Sequence, residues 1–578
     1  MHLRQVKTKN GRVYLSIVQG YRTKDGKSRA KTVESLGYLD ELEKSHPDPI
    51  AHFRRECERR NAERDEGRRP IEVSFPPDQK IDKRACPRIE LGEAVPSSYF
   101  YRDLGLGDFF ERRRTARKGA FDPCRILELL VWDRIAHPGS KKSAWEARGS
   151  FPRKCELSLD DVYRSLTYIA ERADEMVDSM NASLEEVRGP RDRSRLYYDV
   201  TNYYFEVEDE DGLRRRGVSK ENRPSPIVQM GLLLDGSGIP LGFDLFPGNT
   251  PDMTTMLPMM RKAHLRPAGD VDDPERERVV VVADKGLNTS DNIAAATLDG
   301  NGFLFSQSVR RASRELKEWV ASQEGYRETA SGSFKVKSRI SDKALYVKGA
   351  DGKRHRVTVP VKQVAFWSRD FCERARAERA KVIEKSMRAI ERGDASGFVA
   401  RSAVRYAKDV PFVRETGERA EHGWVLDTAK IEADAQMDGY YCLITSEQEW
   451  DEAEIIEAYR GLWRIEESFR VLKSDLGARP VYVSREDHIK AHFLVCYIAL
   501  LIMRLMQSDT GWKHSASAIA EALSNVVGHN LDSNVWYFDY RTDLTDELGA
   551  AVEVDLTRRV LTKAQIRSIM ADVKKPRT

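Results

Sequence analysis

Hydrophobic residues recur along this chain with two different periods, and the change of period divides the chain into regions. From about residue 97 to residue 188 the apolar positions follow the spacing of amphipathic helices. From Arg195 onward they form short β-type runs separated by turn residues. The first three predicted strands of this part are Leu196–Phe205, Ile227–Leu234 and Ile239–Phe246.

The next predicted strand, Val279–Ala283, is apolar throughout, which is typical of a central strand that is covered on both faces. A helix is predicted at Ser290–Leu298, and a fifth strand at Gly302–Ser308. Three meandering strands followed by strand–helix alternation predict an α/β fold with an RNase H-like catalytic core.

Residues 310–436 interrupt this pattern with further β-type runs and a charged helix from about Phe371 to Arg392. The segment is too long for a loop of a compact domain, so we predict a β-rich insertion. Strand character returns at Gly439–Thr445, and Trp450–Leu476 is predicted to form one amphipathic helix.

The N-terminal residues differ from the rest because they alternate as strands do and are basic. The turn signal Asp25-Gly26 separates two such runs, and residues 1–40 hold nine Lys or Arg against three Asp or Glu. The stretch Glu111–Lys118 holds five more basic residues and one acidic residue. Such patches suit phosphate backbones, with a solvated surface as the alternative for each of them.

The composition of the chain mainly excludes classes of protein. Lys plus Arg is 96 and Asp plus Glu is 92, so the net charge of +4 identifies no partner. Seven cysteines without a Cys-x-x-Cys pair argue against a zinc ribbon and fit a reducing cytosol. The start lacks a signal-peptide core, and the apolar stretch Phe493–Met503 is too short to span a membrane, so it is predicted to be a buried helix.

Three carboxylates stand in contexts that predict a shared metal site. Asp199 lies inside an apolar strand, Asp284 directly follows the central strand, and Glu466 lies on the amphipathic helix. A lone buried carboxylate is costly, whereas three around divalent cations satisfy one another. Ligation by oxygen alone suits Mg²⁺ or Mn²⁺ rather than zinc, with two ions expected.

Each carboxylate also has a simpler interpretation. Asp199 could be a core residue hydrogen-bonded to Thr201 or Asn202, Asp284 could be a structural cap, and Glu466 could be solvated. Helical geometry favours Glu466 over Glu467, because Glu466 borders the apolar stripe while Glu467 points to solvent.

Two neighbours of Glu466 on the same helix have their own predictions. Lys473, seven residues after Glu466, is predicted to meet a DNA phosphate. Trp463 is predicted to be a core residue rather than a base-stacking one.

The segment from Tyr459 through Glu466 to Lys473 resembles the Tyr-Arg-Glu-Lys signature of bacterial insertion-sequence DDE transposases of the IS-four superfamily. The segments around Asp199 and Asp284 resemble the two aspartate motifs of that group. One position departs from the signature, which expects Arg where this chain has Leu462. The neighbouring residues Arg460 and Arg464 are the candidates to supply the missing charge.

The resemblance implies a transposase that binds the inverted-repeat ends of its own element, cuts them with metal-activated water and joins the 3′-hydroxyl to target DNA. It assigns Asp199, Asp284 and Glu466 as catalytic metal ligands. The residues expected to contact DNA are Tyr459, Arg460, Arg464 and Lys473. It further implies double-stranded DNA at the element ends and target as partner, a homodimer in the synaptic complex, and a cytoplasmic, nucleoid-associated location. The sequence has no evident glycine-rich phosphate loop, so no nucleotide cofactor is expected.

We predict six regions from these observations. They are a small basic β module (1–45), a mainly helical DNA-binding region (46–194), the first part of the RNase H-like core (195–309), the β-rich insertion (310–436), the second part of the core with the Glu466 helix (437–509), and a C-terminal region with dimerisation as a candidate role (510–578).

Two other functions share parts of this pattern. An RNase H-fold nuclease or resolvase would use the same metal site to hydrolyse DNA without joining it. A catalytically silent DNA-binding protein derived from a transposase would need no intact triad, and this chain retains all three carboxylates.

Overall fold

The computed structural model describes residues 1–8, 10–22, 28–66, 78, 80, 88–113, 121–153, 156–206, 208–218, 224–262, 278–298, 300–349, 352–391, 405–412, 419–532 and 534–576. The chain forms two compact units, one within residues 1–85 and the other within residues 86–578. The predicted Asp25-Gly26 turn lies outside the described residues, as does most of the basic stretch at 111–118.

The first unit is a three-stranded antiparallel sheet in the order β1-β2-β3, followed by helices. Leu15, Ile17 and Val18 of the middle strand are fully buried and form its core. Its elements are β1 (His2–Lys7), β2 (Val13–Arg22), β3 (Ser28–Tyr38), α1 (Leu39–Leu42) and α2 (Pro49–Glu66).

The second unit begins with a short strand and a set of helices that share one hydrophobic core. Its N-terminal elements are β4 (Arg88–Glu90), α3 (Ala94–Ser98), α4 (Leu106–Arg112), α5 (Pro123–Ala136), α6 (Lys141–Ala147), α7 (Leu159–Ala170) and α8 (Ala173–Arg188). Side-chain caps from Asp122, Ser140 and Ser158 start three of these helices.

The central part of the unit alternates strands and helices. Its elements are β5 (Arg195–Tyr204), β6 (Ile227–Leu234), β7 (Pro240–Pro247), α9 (Met256–Lys262), β8 (Val280–Ala283), α10 (Ser290–Leu298), β9 (Gly302–Gln307) and α11 (Arg314–Ala321). The five strand positions predicted from hydrophobic runs are confirmed to within one residue at each end.

The segment predicted as an insertion continues the same sheet. Its elements are β10 (Arg327–Glu328), β11 (Phe334–Lys348), β12 (Arg354–Ser368), α12 (Arg369–Glu391), β13 (Ala407–Phe412), β14 (Arg419–Leu426) and α13 (Thr428–Gln436). β10, β11 and β12 pair into the main sheet, while β13 and β14 form a separate hairpin.

The remaining elements are β15 (Tyr440–Thr445), α14 (Glu452–Arg460), α15 (Trp463–Arg470), α16 (Glu486–Asp509), α17 (Ala516–Ser524), β16 (Val527–Asp532), β17 (Val535–Phe538), α18 (Asp543–Ala551), β18 (Val560–Thr562) and α19 (Lys563–Asp572). Short 3-10 turns lie at Leu91–Glu93, Arg148–Ser150, Asp252–Thr254 and Lys285–Leu287, and π-helical turns at Tyr99–Asp103 and Val471–Asp475.

The main sheet has nine strands in the order β10-β11-β12-β15-β9-β8-β5-β6-β7. β7, β6 and β5 form an antiparallel meander, and β8 and β9 then run parallel to β5. A meander joined to parallel strands in this order is the arrangement of an RNase H-like core, and the predicted α/β fold is confirmed.

Helices cover both faces of the sheet. On one face, α9 and α10 pack on a core that includes Leu196, Val281 and Phe305. On the other face, α14, α15 and α16 join the larger core of the unit. By length and composition α16 could span a membrane, but 94% of its most apolar window is buried inside the unit, as predicted for this stretch.

The C-terminal elements close back on the start of the same unit. β16, β17 and β18 form a four-stranded sheet with β4, so Val527 pairs with Glu90 across more than 400 residues of chain. This pairing joins parts of the regions that the sequence assigned as 46–194 and 510–578. Short strands of this kind carry little periodicity, which is why their pairing was not predicted.

Candidate active site

Asp199 lies on β5, and Asp284 directly follows β8, the parallel strand beside it. β5 and β8 pair with Arg195 opposite Val280 and Tyr197 opposite Val282. Continuing that register by two residues places Asp199 opposite Asp284, with backbones about 4.8 Å apart. Residues two apart on a strand share a face, so both carboxylates lie on the face covered by α14, α15 and α16.

Asp284 is exposed and accepts hydrogen bonds from two hydroxyl groups. Ser306 of β9 donates to Asp284 Oδ1 at 3.2 Å, and the Tyr459 hydroxyl donates to the same oxygen at 3.1 Å. Burial raises the pKa of Tyr459, and the adjacent Asp284 carboxylate raises it further. Tyr459 therefore remains protonated at neutral pH and orients one oxygen of Asp284.

Lys473 lies near the C-terminal end of the segment that was predicted as one helix, and it contacts β5. Its ammonium donates to Thr201 Oγ1 at 2.7 Å and lies 5.4 Å from the centre of the Tyr203 ring. Thr201 follows Asp199 by two residues and shares its face of the strand. Tyr459 and Lys473 therefore contact the two strands that carry Asp199 and Asp284.

The predicted helix Trp450–Leu476 is interrupted, which corrects the prediction. α14 ends at Arg460, α15 begins at Trp463, and a π-helical turn follows at Val471–Asp475. Gly461 at the first junction lies against β5, where a Cβ atom would be 2.0 Å from the Tyr197 hydroxyl. The close approach of helix and strand at Gly461 is a tertiary contact that helical periodicity does not show.

Glu466 lies between Tyr459 and Lys473, seven residues from each, but its side chain is exposed. Among the residues that the structure describes, it has no hydrogen-bond or ion-pair partner. Glu467, predicted to point to solvent, is instead half-buried and pairs with Arg470 through two hydrogen bonds of 2.7 and 2.8 Å. The reason is that Arg470 lies one turn later on the same side of α15.

Asp199 and Asp284 share one face of the sheet, and Glu466 lies on a helix that covers this face. Within the described ranges no three His, Cys, Asp or Glu side chains lie close enough together to hold a metal ion. Asp199 and Asp284 are brought together by strand register, whereas Glu466 approaches only as part of the helix above them.

The region around Leu462 differs from the sequence-based prediction. Leu462 is buried in the large core. Arg464 is half-buried, with Nη1 donating to the Tyr197 hydroxyl at 3.5 Å, and Arg460 is exposed. Trp463, predicted to be a core residue, is 55% exposed, because the junction after α14 turns it outward.

An open cavity of about 470 Å³ lies beside this junction. Most of its wall is polar and comes from the start of β5 and from the junction itself. The lining residues are Asp192, Ser194, Arg195, Tyr197, Gly236, Glu457, Arg460, Gly461, Trp463 and Arg464.

Two residues that contact the candidate site, Ser306 and Thr201, were not predicted to belong to it. Ser306 reaches Asp284 only through the pairing of β8 with β9, which no local pattern reveals. Thr201 could have been found as a site residue, since its spacing from Asp199 along a strand already places both on one face.

Comparison with known families agrees with this architecture. Residues 3–71 match the model described as "IS1634 family transposase, N-terminal domain". Residues 205–502, just over half of the chain, match the model described as "Transposase DDE domain". This second match includes Asp284 and Glu466 and begins six residues after Asp199.

Comparisons with individual proteins add less. No curated protein matches the chain. Seven solved chains match, among them the "Cryo-EM structure of piggyBac transposase synaptic complex with hairpin DNA (SNHP)", at 7% identity and a TM-score of 0.34, over 84% of this chain and 86% of that chain. A likeness at this level carries no argument about the present chain.

Proposed function

Since the chain belongs to the transposase DDE domain family and is an insertion-sequence DNA transposase, we propose that Asp199, Asp284 and Glu466 are its catalytic carboxylates. The observation that carries this proposal is the position of Asp199 and Asp284 at one level of two parallel strands. The contacts from Tyr459 to Asp284 and from Lys473 to Thr201 support it, because they hold the Glu466 segment over the same strands.

DDE transposase domains generally use divalent metals. The donors available here are carboxylate oxygens, which suit Mg²⁺ or Mn²⁺. Asp199 and Asp284 would hold the first ion, and Glu466 would complete a two-ion site after its side chain turns inward. Bound ions would supply activation of water and stabilisation of the attacking and leaving oxygens in an in-line displacement.

The chain's own residues have separate tasks in this proposal. Tyr459 orients Asp284 through its hydrogen bond, and Lys473 offers a cation beside the scissile phosphate. Arg460 and Arg464 supply positive charge near Leu462, where the IS-four signature expects Arg. Phosphate contacts of this kind set the register of DNA without reading its sequence.

The DNA partner is proposed to be the inverted-repeat end of the element, followed by target DNA. Sequence reading is assigned to residues 1–194, and work on two element ends implies a homodimer in the synaptic complex. The protein would act in the cytoplasm, on the nucleoid. Joining proceeds when the 3′-hydroxyl freed by cleavage attacks a target phosphodiester. The new bond joins the element's 3′-oxygen to the target phosphorus, the bond from that phosphorus to the target's 3′-oxygen breaks, and this oxygen leaves as a 3′-hydroxyl.

A strand-transfer assay tests the proposal with duplexes that carry the inverted repeat flanking the coding sequence. With Mg²⁺, we expect cleavage at the repeat end and a longer product in which the new 3′-hydroxyl is joined to target DNA. The Asp199→Ala variant should lose both products while still binding the duplex. Cleavage without joined product would favour the nuclease alternative, and unchanged cleavage by the variant would reject the assigned site.

A further inference from the structure

The hairpin formed by β11 and β12 extends beyond the rest of the main sheet. The two strands pair over fifteen residues each, from Phe334 opposite Ser368 to Lys348 opposite Arg354. β15 pairs with β12 only over residues 362–367, and β10 pairs with β11 only at residues 335–336. Among the described strands, none other pairs with residues 341–348 or 354–361, which we call the ribbon.

One face of the ribbon is anchored to the unit. Leu345 and Val361 are fully buried in the core beneath α10, and Val347 and Val359 pack against that core. α10 lies along β11 and supports this side. The ribbon is therefore a supported two-stranded element, and its opposite face remains open.

The open face is basic and carries an aromatic residue. Cross-strand partners share a face, so Lys348 lies beside Arg354 and Tyr346 beside Arg356. The three basic residues are exposed, and within the described part of the chain none of them has an ion-pair partner. Tyr346 is 52% exposed. The one described carboxylate on this face, Asp342, lies four residues from Tyr346 toward the base of the ribbon.

This arrangement has a cost in the free protein. Like charges directly opposite one another on paired strands destabilise the pair, as Lys348 and Arg354 do here. A polyanion laid along the open face would remove that repulsion. A two-stranded ribbon also fits the major groove of duplex DNA, and basic side chains neutralise its phosphates.

The register locates the ribbon relative to the candidate active site. Across the sheet, Asp284 is in register with Ser306 of β9, Leu443 of β15 and Val364 of β12. Arg354 lies ten residues before Val364, which corresponds to at most about 34 Å along the strand. That length equals about ten base pairs of DNA at 3.4 Å each.

We propose that the ribbon binds the duplex of the element end, about ten base pairs inward from the cut, an inference that rests on the proposed function. The element end is the DNA that stays at the active site through both cleavage and joining, so a distant contact on it serves both steps. Lys348, Arg354 and Arg356 neutralise phosphates of the DNA. Tyr346 packs against the DNA between these three basic side chains.

The test is the salt dependence of DNA binding by the full chain. The triple variant Lys348→Ser, Arg354→Ser and Arg356→Ser should bind an element-end duplex more than about tenfold more weakly at 0.1 M salt. The slope of log K against log salt should become shallower by about 2.7, the value for three lost phosphate contacts. A slope equal to that of the unmodified chain would overturn the proposal.

Two controls separate this result from a general loss of charge. The variant Arg314→Ser, Arg541→Ser and Arg558→Ser removes the same charge from side chains that already pair with Glu318, Asp546 and Asp555, and should bind nearly as the unmodified chain does. The variant Lys348→Arg, Arg354→Lys and Arg356→Lys should retain binding. An equal loss in the first control, or no retention in the second, would reject a ribbon contact.

Shortened duplexes identify which DNA is bound. Cutting the element side to about six base pairs from the cleavage position should abolish the difference between the unmodified chain and the ribbon variant. If shortening the flanking side abolishes it instead, the element end is not the partner. Failure of the unmodified chain to cleave would reject the proposed function. Normal cleavage by the unmodified chain, with an unchanged salt slope in the ribbon variant, would reject the ribbon proposal alone.

Discussion

The two halves of the candidate site are held in different ways. Asp199 lies on β5 and Asp284 directly follows β8, and the parallel pairing of these two strands sets their spacing. Glu466 belongs to an eight-residue helix between a tight junction at Gly461 and a π-helical turn, and its side chain is exposed. In the proposed site, strand pairing fixes the position of the first two carboxylates, whereas the exposed Glu466 side chain would have to turn inward to join them.

This difference has an electrostatic reason. Three carboxylates held in mutual contact would repel one another in the free protein, and each would resist ionisation. In the proposed site two carboxylates are fixed by strand pairing, and the third belongs to a helix that contacts the strands through side chains. Changes on the strands should therefore affect the site more severely than changes on the helix.

The largest expected effect is on the strands. Asp199→Asn or Asp284→Asn keeps the side-chain size but removes one charge from the preformed pair, so cleavage of end DNA should fall by roughly 10³-fold or more. Cleavage rates with Mg²⁺ and DNA binding in EDTA provide the measurement, and binding should be kept. Cleavage within tenfold of the unmodified chain would contradict the assigned pair.

The second-largest expected effect distinguishes Glu466 from its neighbour Glu467 on α15. Glu466→Gln should lower cleavage by about 100-fold, with part of the loss recovered at high Mg²⁺, because the residue completes an existing site. Glu467→Gln breaks only a partly exposed pair with Arg470 and should leave the rate within about threefold. Titration of the rate against Mg²⁺ compares them, and the reverse order would assign Glu467 instead.

A third change tests whether the close helix–strand contact positions Glu466. Gly461→Ala places a Cβ atom 2.0 Å from the Tyr197 hydroxyl, so either α15 or the buried Tyr197 ring must shift. We expect a loss of about 1–3 kcal/mol in the free energy of unfolding and about tenfold slower cleavage.

Gly286→Ala is the matched control for that change, since a Cβ atom there meets open space. Both substitutions reduce the entropy of the unfolded chain alike. Thermal melting and cleavage rates of the two variants give the comparison. Equal stability of the two would mean that the contact at Gly461 does not constrain the helix.

The smallest expected effect concerns the position of Leu462. Arg464→Ala removes a cation that contacts Tyr197 and should weaken binding of end DNA by about fivefold, the value for a single phosphate contact. Arg470→Ala removes a cation already paired with Glu467 and Asp475, so its effect should be smaller. Equal dissociation constants for both variants would exclude Arg464 as the substitute.

Several elements of the fold were predictable because their signals are local. The apolar run at Val279–Ala283 predicted a central strand and the run at Ile227–Leu234 predicted a strand, and both are confirmed. The family resemblance rested on carboxylates within such elements, and the DDE domain match confirms it at that level. The assignment of individual site residues stays a prediction until the variants are measured.

The chain by itself determined its strands, its long buried helix and the types of residue that could bind metal, because hydrophobic period and side-chain chemistry are written locally. Only the tertiary structure decided that Asp199 lies beside Asp284, that the helix carrying Glu466 is interrupted at Gly461 and that β4 pairs with β16. Those features depend on contacts between residues far apart in sequence, and no local pattern records such contacts.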